Sequence, residues 1–188
     1  PTEAEINTAV EKEMTEAVKN GSPEPSIPHS VVTRLIWEKN RNAHEFFVEE
    51  SFPLEWSYDH AEPQGLVYKI HRKPLKEIPA ESVRADFEFW NAYSQKLLSN
   101  PDYLRDYDAQ RSFSKLRATA GNLYRHRKLE AEAERAYRQS LALWQGNGES
   151  LNGLSQMLWY RGDFDGVIEM FRAAIDKDPN NIALWRMF

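Results

Sequence analysis

The chain has 188 residues, with 24 Lys and Arg against 29 Asp and Glu and a formal net charge of −5. That length can bury a core for one domain or two small units. The acidic balance gives no long-range attraction to the polyanionic backbone of DNA or RNA, so no nucleic-acid partner is expected. Cysteine is absent, which excludes disulfides, thiolate nucleophiles and cysteine-ligated zinc.

No window approaches the roughly 20 apolar residues that span a bilayer, and no basic-then-apolar leader opens the chain. A soluble chain that does not itself cross a membrane is expected. Because it starts at Pro1 rather than Met and ends on Leu184-Trp185-Arg186-Met187-Phe188, the sequence reads as a fragment of something longer.

In chain order, Ile6, Val10, Met14 and Val18 recur four apart and predict a helix over residues 3–20. Gly21 ends it, and the three prolines between Gly21 and Pro28 predict a linker, so residues 1–28 form a first segment. Residues 29–79 read as a small α/β cap. Ser30 is the expected N-cap of a helix over Val31 to Asn42, and the runs His44–Glu50 and Leu66–Ile70 have strand composition. Residues 51–65 between them are long enough for a short helical crossover, which favours two short parallel strands. From Ala80 the apolar residues Val83, Phe87, Trp90, Tyr93 and Leu97 return three or four apart, predicting a helical connector over residues 80–113 broken at Asn100-Pro101.

Residues 114–147 and 148–181 align as two blocks of 34. The second has Leu151, Leu154-Ser155, Leu158, Val167, Phe171, Ala174 and Pro179 where the first has Arg117, Ala120-Gly121, Tyr124, Ala133, Tyr137, Ser140 and Gln145. Small residues let two helices approach while the aromatics fill the seam. This is the tetratricopeptide pattern, with Arg117 and Gln145 departing from it. Trp185 falls 34 residues after Leu151, so residues 182–188 start a third repeat or cap the array. The expected fold is mainly α: a two-repeat helical solenoid with a capping helix, carrying the small N-terminal α/β element.

Such repeats generally hold a peptide or partner helix on the face of the first helix of each hairpin. By register that face carries Lys115, Ala118, Asn122, Arg125 and His126, then Glu149, Asn152, Gln156, Trp159 and Tyr160. The candidate partner-binding residues are Asn122, Arg125, His126, Asn152, Gln156, Trp159 and Tyr160. Ala118 stands where some relatives place a basic residue to clamp a C-terminal carboxylate, so that clamp is not expected.

A second likeness lies in Phe47–Trp56, in Glu62–Ile70, and in Phe113–Arg117 with Tyr124. Together these runs resemble the C-terminal soluble region of bacterial multi-pass membrane proteins of the protein O-mannosyltransferase-like glycosyltransferase type, over about residues 30–181. Gln64 stands where that family often has His, and Ser57-Tyr58-Asp59 where it often has Met-Tyr-Pro. The resemblance implies that the sugar-transfer acids belong to a membrane region outside this sequence, and that these residues hang on the extracytoplasmic face to recognise an acceptor protein or partner subunit.

No catalytic, cofactor or metal residues are assigned. Glu49, Glu50, Asp59, His60 and Glu62 bring acids close in sequence, but adjacent strand residues point to opposite faces, and solvated loop acids are the simpler reading. The five histidines show no zinc-hydrolase spacing, no Gly-Lys-Ser/Thr phosphate loop occurs, and Ser112 and Ser114 lack a nucleophile elbow. Asn20-Gly21-Ser22 is a formal glycosylation sequon. The basic run from Arg111 to Lys128 is balanced by Glu130, Glu132 and Glu134 as a solvated face. A protein- or peptide-binding module without catalysis is therefore the leading expectation. A free-standing adaptor and an independent enzyme using the acids of residues 49–62 are the alternatives.

Overall fold

The computed structural model describes residues 1–19, 28–50 and 54–187. The chain folds as two compact units, residues 1–62 with 67–76, and residues 63–66 with 77–188. The expected linker lies outside the described residues except for Pro28, and so do the sequon and the Gly21 helix stop.

In the first unit α1 (Glu3–Lys19) packs on α2 (Pro28–Asn40). Ile6 and Val10 are half-buried and Met14 is exposed. Charge joins the two helices: Arg34 pairs with Glu13, and Lys39 Nζ lies 2.6 Å from both carboxylate oxygens of Glu5. The Lys39 hydrogen bond is the main reason that Glu5 is held down to about 2. Ser30 is not the N-cap of α2. The helix begins two residues earlier at Pro28, whose fixed φ suits a first helical position.

Three strands follow rather than two, and their sense is antiparallel, not parallel. β1 (Phe46–Val48), β2 (Ala61–Gln64) and β3 (Val67–Ile70) lie in the order β1–β3–β2. Phe46 faces Ile70 and Val48 faces Tyr68. The physical reason is Gly65. Its φ of +69° makes the two-residue connection Gly65-Leu66 a tight turn, so β3 returns directly along β2 and its other edge takes β1. A Cβ at Gly65 would also lie 3.0 Å from the Phe89 ring. Only a 3₁₀ turn, Glu55–Ser57, represents the expected crossover among the described residues. Tyr68 and Ile70 alternate inward along β3, as a half-buried strand requires.

The second unit is helical: α3 (Ala80–Leu98), α4 (Pro101–Arg105), α5 (Tyr107–His126), α6 (Glu130–Leu143), α7 (Gly148–Tyr160), α8 (Phe164–Lys177) and α9 (Ile182–Met187). Side-chain caps set most starts. Asn100, Asp106, Asn147 and Asp163 accept from Asp102, Ala109, Ser150 and Gly166 amides respectively, at 2.9–3.0 Å. Because α5 runs unbroken from Tyr107, Ser114 lies inside a helix.

Two helix ends repeat one turn at an interval of 34. Leu129 N donates to Tyr124 O and Lys128 N to Arg125 O. Likewise Asp163 N donates to Leu158 O and Gly162 N to Trp159 O. Both ends are Schellman caps with the left-handed residue at Lys128 (φ 60°) and Gly162 (φ 76°). Each helix from α5 to α9 packs on its neighbour in sequence, and α5 also meets α7 as α7 meets α9. Tyr137 explains the close approach of α5, α6 and α7. A Cβ at Gly121 would lie 2.5 Å from its ring, and one at Gly153 2.6 Å, so the ring is held between two glycines. Beside it, Ser114, Ser140 and Ser150 share buried hydroxyl bonds of 2.7–3.0 Å, with Asn147 Nδ2 donating to Ser114 Oγ. At the far end Leu151, Phe171 and Ile175 form a core that Leu184 of α9 closes.

Candidate functional site

The face predicted for partner binding divides in two. Its first part is a polar ladder between α5 and α7. Asn122 Oδ1 accepts from Tyr137 Oη at 2.7 Å, while Asn122 Nδ2 donates to Glu149. One turn on, Arg125 Nη2 donates to Gln156 Oε1 at 2.7 Å, and Gln156 Nε2 to Asn152 Oδ1 at 3.1 Å. Asn122, Arg125, Asn152 and Gln156 are thus brought together, and three of them join one helix to the next. Burial dominates at this ladder: it lifts Glu149 above the usual carboxylate range, against the Asn122 hydrogen bond and the Lys115 charge, and pushes Tyr137 up to about 12. Ala118 is fully buried, and His126 is exposed at the end of α5.

The second part is apolar and open. Trp159 and Tyr160 at the end of α7 are 62% and 84% exposed. Trp159 meets Phe164 of α8 edge to face, with ring centroids 4.8 Å apart. With Ile168, Phe171 and Met187 they border a groove of about 430 Å³ between α7, α8 and the end of α9. A contiguous apolar surface rimmed by polar groups is the usual mark of an interaction site.

A buried ionic cluster was not foreseen. Asp86 of α3 and Arg117 of α5 are both fully buried, with Arg117 Nη1 donating to Asp86 Oδ2 at 2.7 Å. The same oxygen accepts from Tyr124 Oη at 2.7 Å, and Arg117 Nε donates to Gln139 Oε1 at 2.8 Å. The guanidinium lies 4.6 Å from the Phe87 ring centroid and 5.3 Å from that of Trp90. A signal for it existed. Arg117 occupies a position that asks for a large apolar residue, and Asp86 falls on the stripe of Val83 and Trp90, so each implied a partner of opposite charge in the core.

In the first unit Glu50 and Glu62 each make local contacts. Glu50 is buried and accepts from Leu54 N at 2.9 Å and Tyr58 Oη at 2.8 Å. Glu62 Oε2 lies 2.5 Å from His71 Nε2, while His60 Nδ1 lies 2.8 Å from His71 O. Among the described residues no three His, Asp or Glu side chains are grouped to hold a metal ion. None of the described helices is long and apolar enough to cross a membrane.

Comparison with protein-family models, with curated proteins and with solved structures gives no match.

Proposed function

We propose that residues 114–187 form two tetratricopeptide-type hairpins that bind a protein or peptide partner, and that the chain has no catalytic role of its own. The open aromatic surface of Trp159, Tyr160 and Phe164 carries this reading, because exposed tryptophan and tyrosine at the rim of a groove are the residues that anchor interfaces. The repeated Schellman turns and the meeting of α5 with α7 and of α7 with α9 support the repeat assignment. Selection of peptides from a displayed library on the folded chain tests the binding. Recovery of specific binders is expected, and a library yielding none overturns the reading.

Within this proposal the chain is the extracytoplasmic part of a bacterial membrane protein of the glycosyltransferase type. The sequence runs Phe47–Trp56, Glu62–Ile70 and Phe113–Arg117 with Tyr124 are what supports that reading. Sequencing the gene upstream of Pro1 tests it. Several apolar spans are expected there, and their absence overturns the membrane assignment while leaving the binding module standing.

A further inference from the structure

Between α6 and α8 lies a cleft of about 620 Å³, floored by Leu151, Leu154 and Leu158 of α7. Its floor and both walls come from residues 138–174, inside the two hairpins, so every side of it is formed by helices with neighbours before and after them. Leu141 and Met170 are half-buried on the walls, and Ala142 and Ala173 stand exposed on either side.

The helix before α6 closes on it in a way that α6 does not close on α8. Asn91 of α3 accepts from Gln139 Nε2 at 2.7 Å, and the Arg135 guanidinium lies 4.3 Å from the Phe87 ring centroid. At an interval of 34 residues Gln139 becomes Ala173 and Arg135 becomes Glu169, so α8 offers α6 neither that donor nor that cation. The cation on the α6 wall, Arg138, is already taken by Glu134 at 2.8 Å.

The polar groups left unsatisfied on the cleft are all acceptors. Asp165 and Glu169, one turn apart on α8, are exposed and have no ion-pair partner among the described residues. Gln145, at the end of the α6 wall, has its Oε1 buried without a donor. The leucines of the floor are only 1–3% exposed, so the cleft is too narrow for a helix of about 10–12 Å diameter and suits a single extended chain. From Asp163 to Ala174 the α8 wall rises about 16 Å, the reach of about five extended residues.

We infer that the α6/α8 cleft binds an extended segment of a partner protein in which Lys or Arg alternates with aliphatic residues. The aliphatic side chains enter between Ala142 and Ala173, the basic ones turn to Asp165 and Glu169, and an N–H of the segment meets Gln145 Oε1. The inference shares with the interaction reading above only the class of partner, because the cleft and the Trp159 surface use different residues.

The test offers a displayed library of short random peptides to the whole chain and measures the selected peptides on wild type, D165K/E169K, A142F and W159A. A class of peptides that alternates Lys or Arg with aliphatic residues is expected. It should lose at least tenfold in affinity on D165K/E169K, where the charge is reversed, and on A142F, where the cleft is filled with no change of charge, and should bind W159A as it binds wild type. Replacing its Lys and Arg by Glu should restore at least part of the affinity on D165K/E169K, which also shows that this variant is folded. Selected peptides with no excess of Lys and Arg, or peptides that bind A142F and wild type equally, overturn the cleft site, and their weakening on W159A leaves the interaction reading intact. A library that yields no binder removes both. Peptides that turn helical on binding also overturn the proposal, as does a dimer in sedimentation that D165K/E169K dissolves, since the occupant would then be a helix or a second copy of the chain.

Discussion

Lys128 and Gly162 hold the same left-handed position at the ends of two successive helices, and only one of them is a glycine. A lysine Cβ in that conformation crowds the backbone, while glycine bears no such strain but gives up more chain entropy on folding. Lys128→Gly should therefore stabilise the protein by roughly 0.5–1 kcal/mol, and Gly162→Ala should destabilise it by about 1 kcal/mol. Urea midpoints at constant slope measure both. Equal effects of the same sign would sink the assignment of the two turns to one motif.

The Asp86–Arg117 pair makes a larger claim. Removing one partner of a fully buried pair strands the other charge, so Asp86→Ala should cost about 3–5 kcal/mol. The double variant Asp86→Leu/Arg117→Met should recover part of that, because an apolar pair needs no desolvation of charge, although Tyr124 Oη then loses its acceptor. Chemical denaturation of wild type, both single variants and the double variant decides it, and additive losses would count against the pair.

Gly153 is required for space rather than for backbone conformation. Its absent Cβ would meet the buried Tyr137 ring at 2.6 Å. Gly153→Ala should lower stability by about 1–3 kcal/mol through overpacking, and Tyr137→Leu on that background should return part of the loss. A thermal melt in which Gly153→Ala matches wild type would show that α7 can move away at little cost.

Glu149 supplies a pH dependence with a defined sign. Burial raises its folded-state pKa above the ordinary 4.5, so the folded protein holds this proton more tightly than the unfolded chain does. The resulting stabilisation is full below 4.5 and is lost as pH rises through the folded value. Glu149→Gln, which keeps an acceptor for Asn122, should match wild type near pH 4 and exceed it in stability at pH 7. A stability difference that stays flat between those two values would refute the assignment.

Helix periodicity made most of the second unit legible in the sequence. The stripe of Phe87, Trp90 and Tyr93 and the break at Asn100-Pro101 both appear where composition places them, because local chemistry alone fixes such features. The strands were less legible. Their composition was clear, but β2 contains Pro63 and Gln64 and lacks a β-branched residue, so the strand that fixes the antiparallel order gave no local signal. The site was legible by register but not by chemistry. Counting 34 residues placed Arg125 and Trp159 on equivalent faces, yet only the packing of α7 on α5 shows that Arg125 is bonded to Gln156 while Trp159 stands exposed.

Tyr137 sits with one glycine from each of two helices against its ring. Such a residue cannot keep its surroundings if either helix leaves, so α5, α6 and α7 should open locally as one. Amides on α5 and α7 near Gly121 and Gly153 should then exchange their hydrogens at a common rate, and the tolerance of this region to insertion should be confined to the loop ends away from that ring.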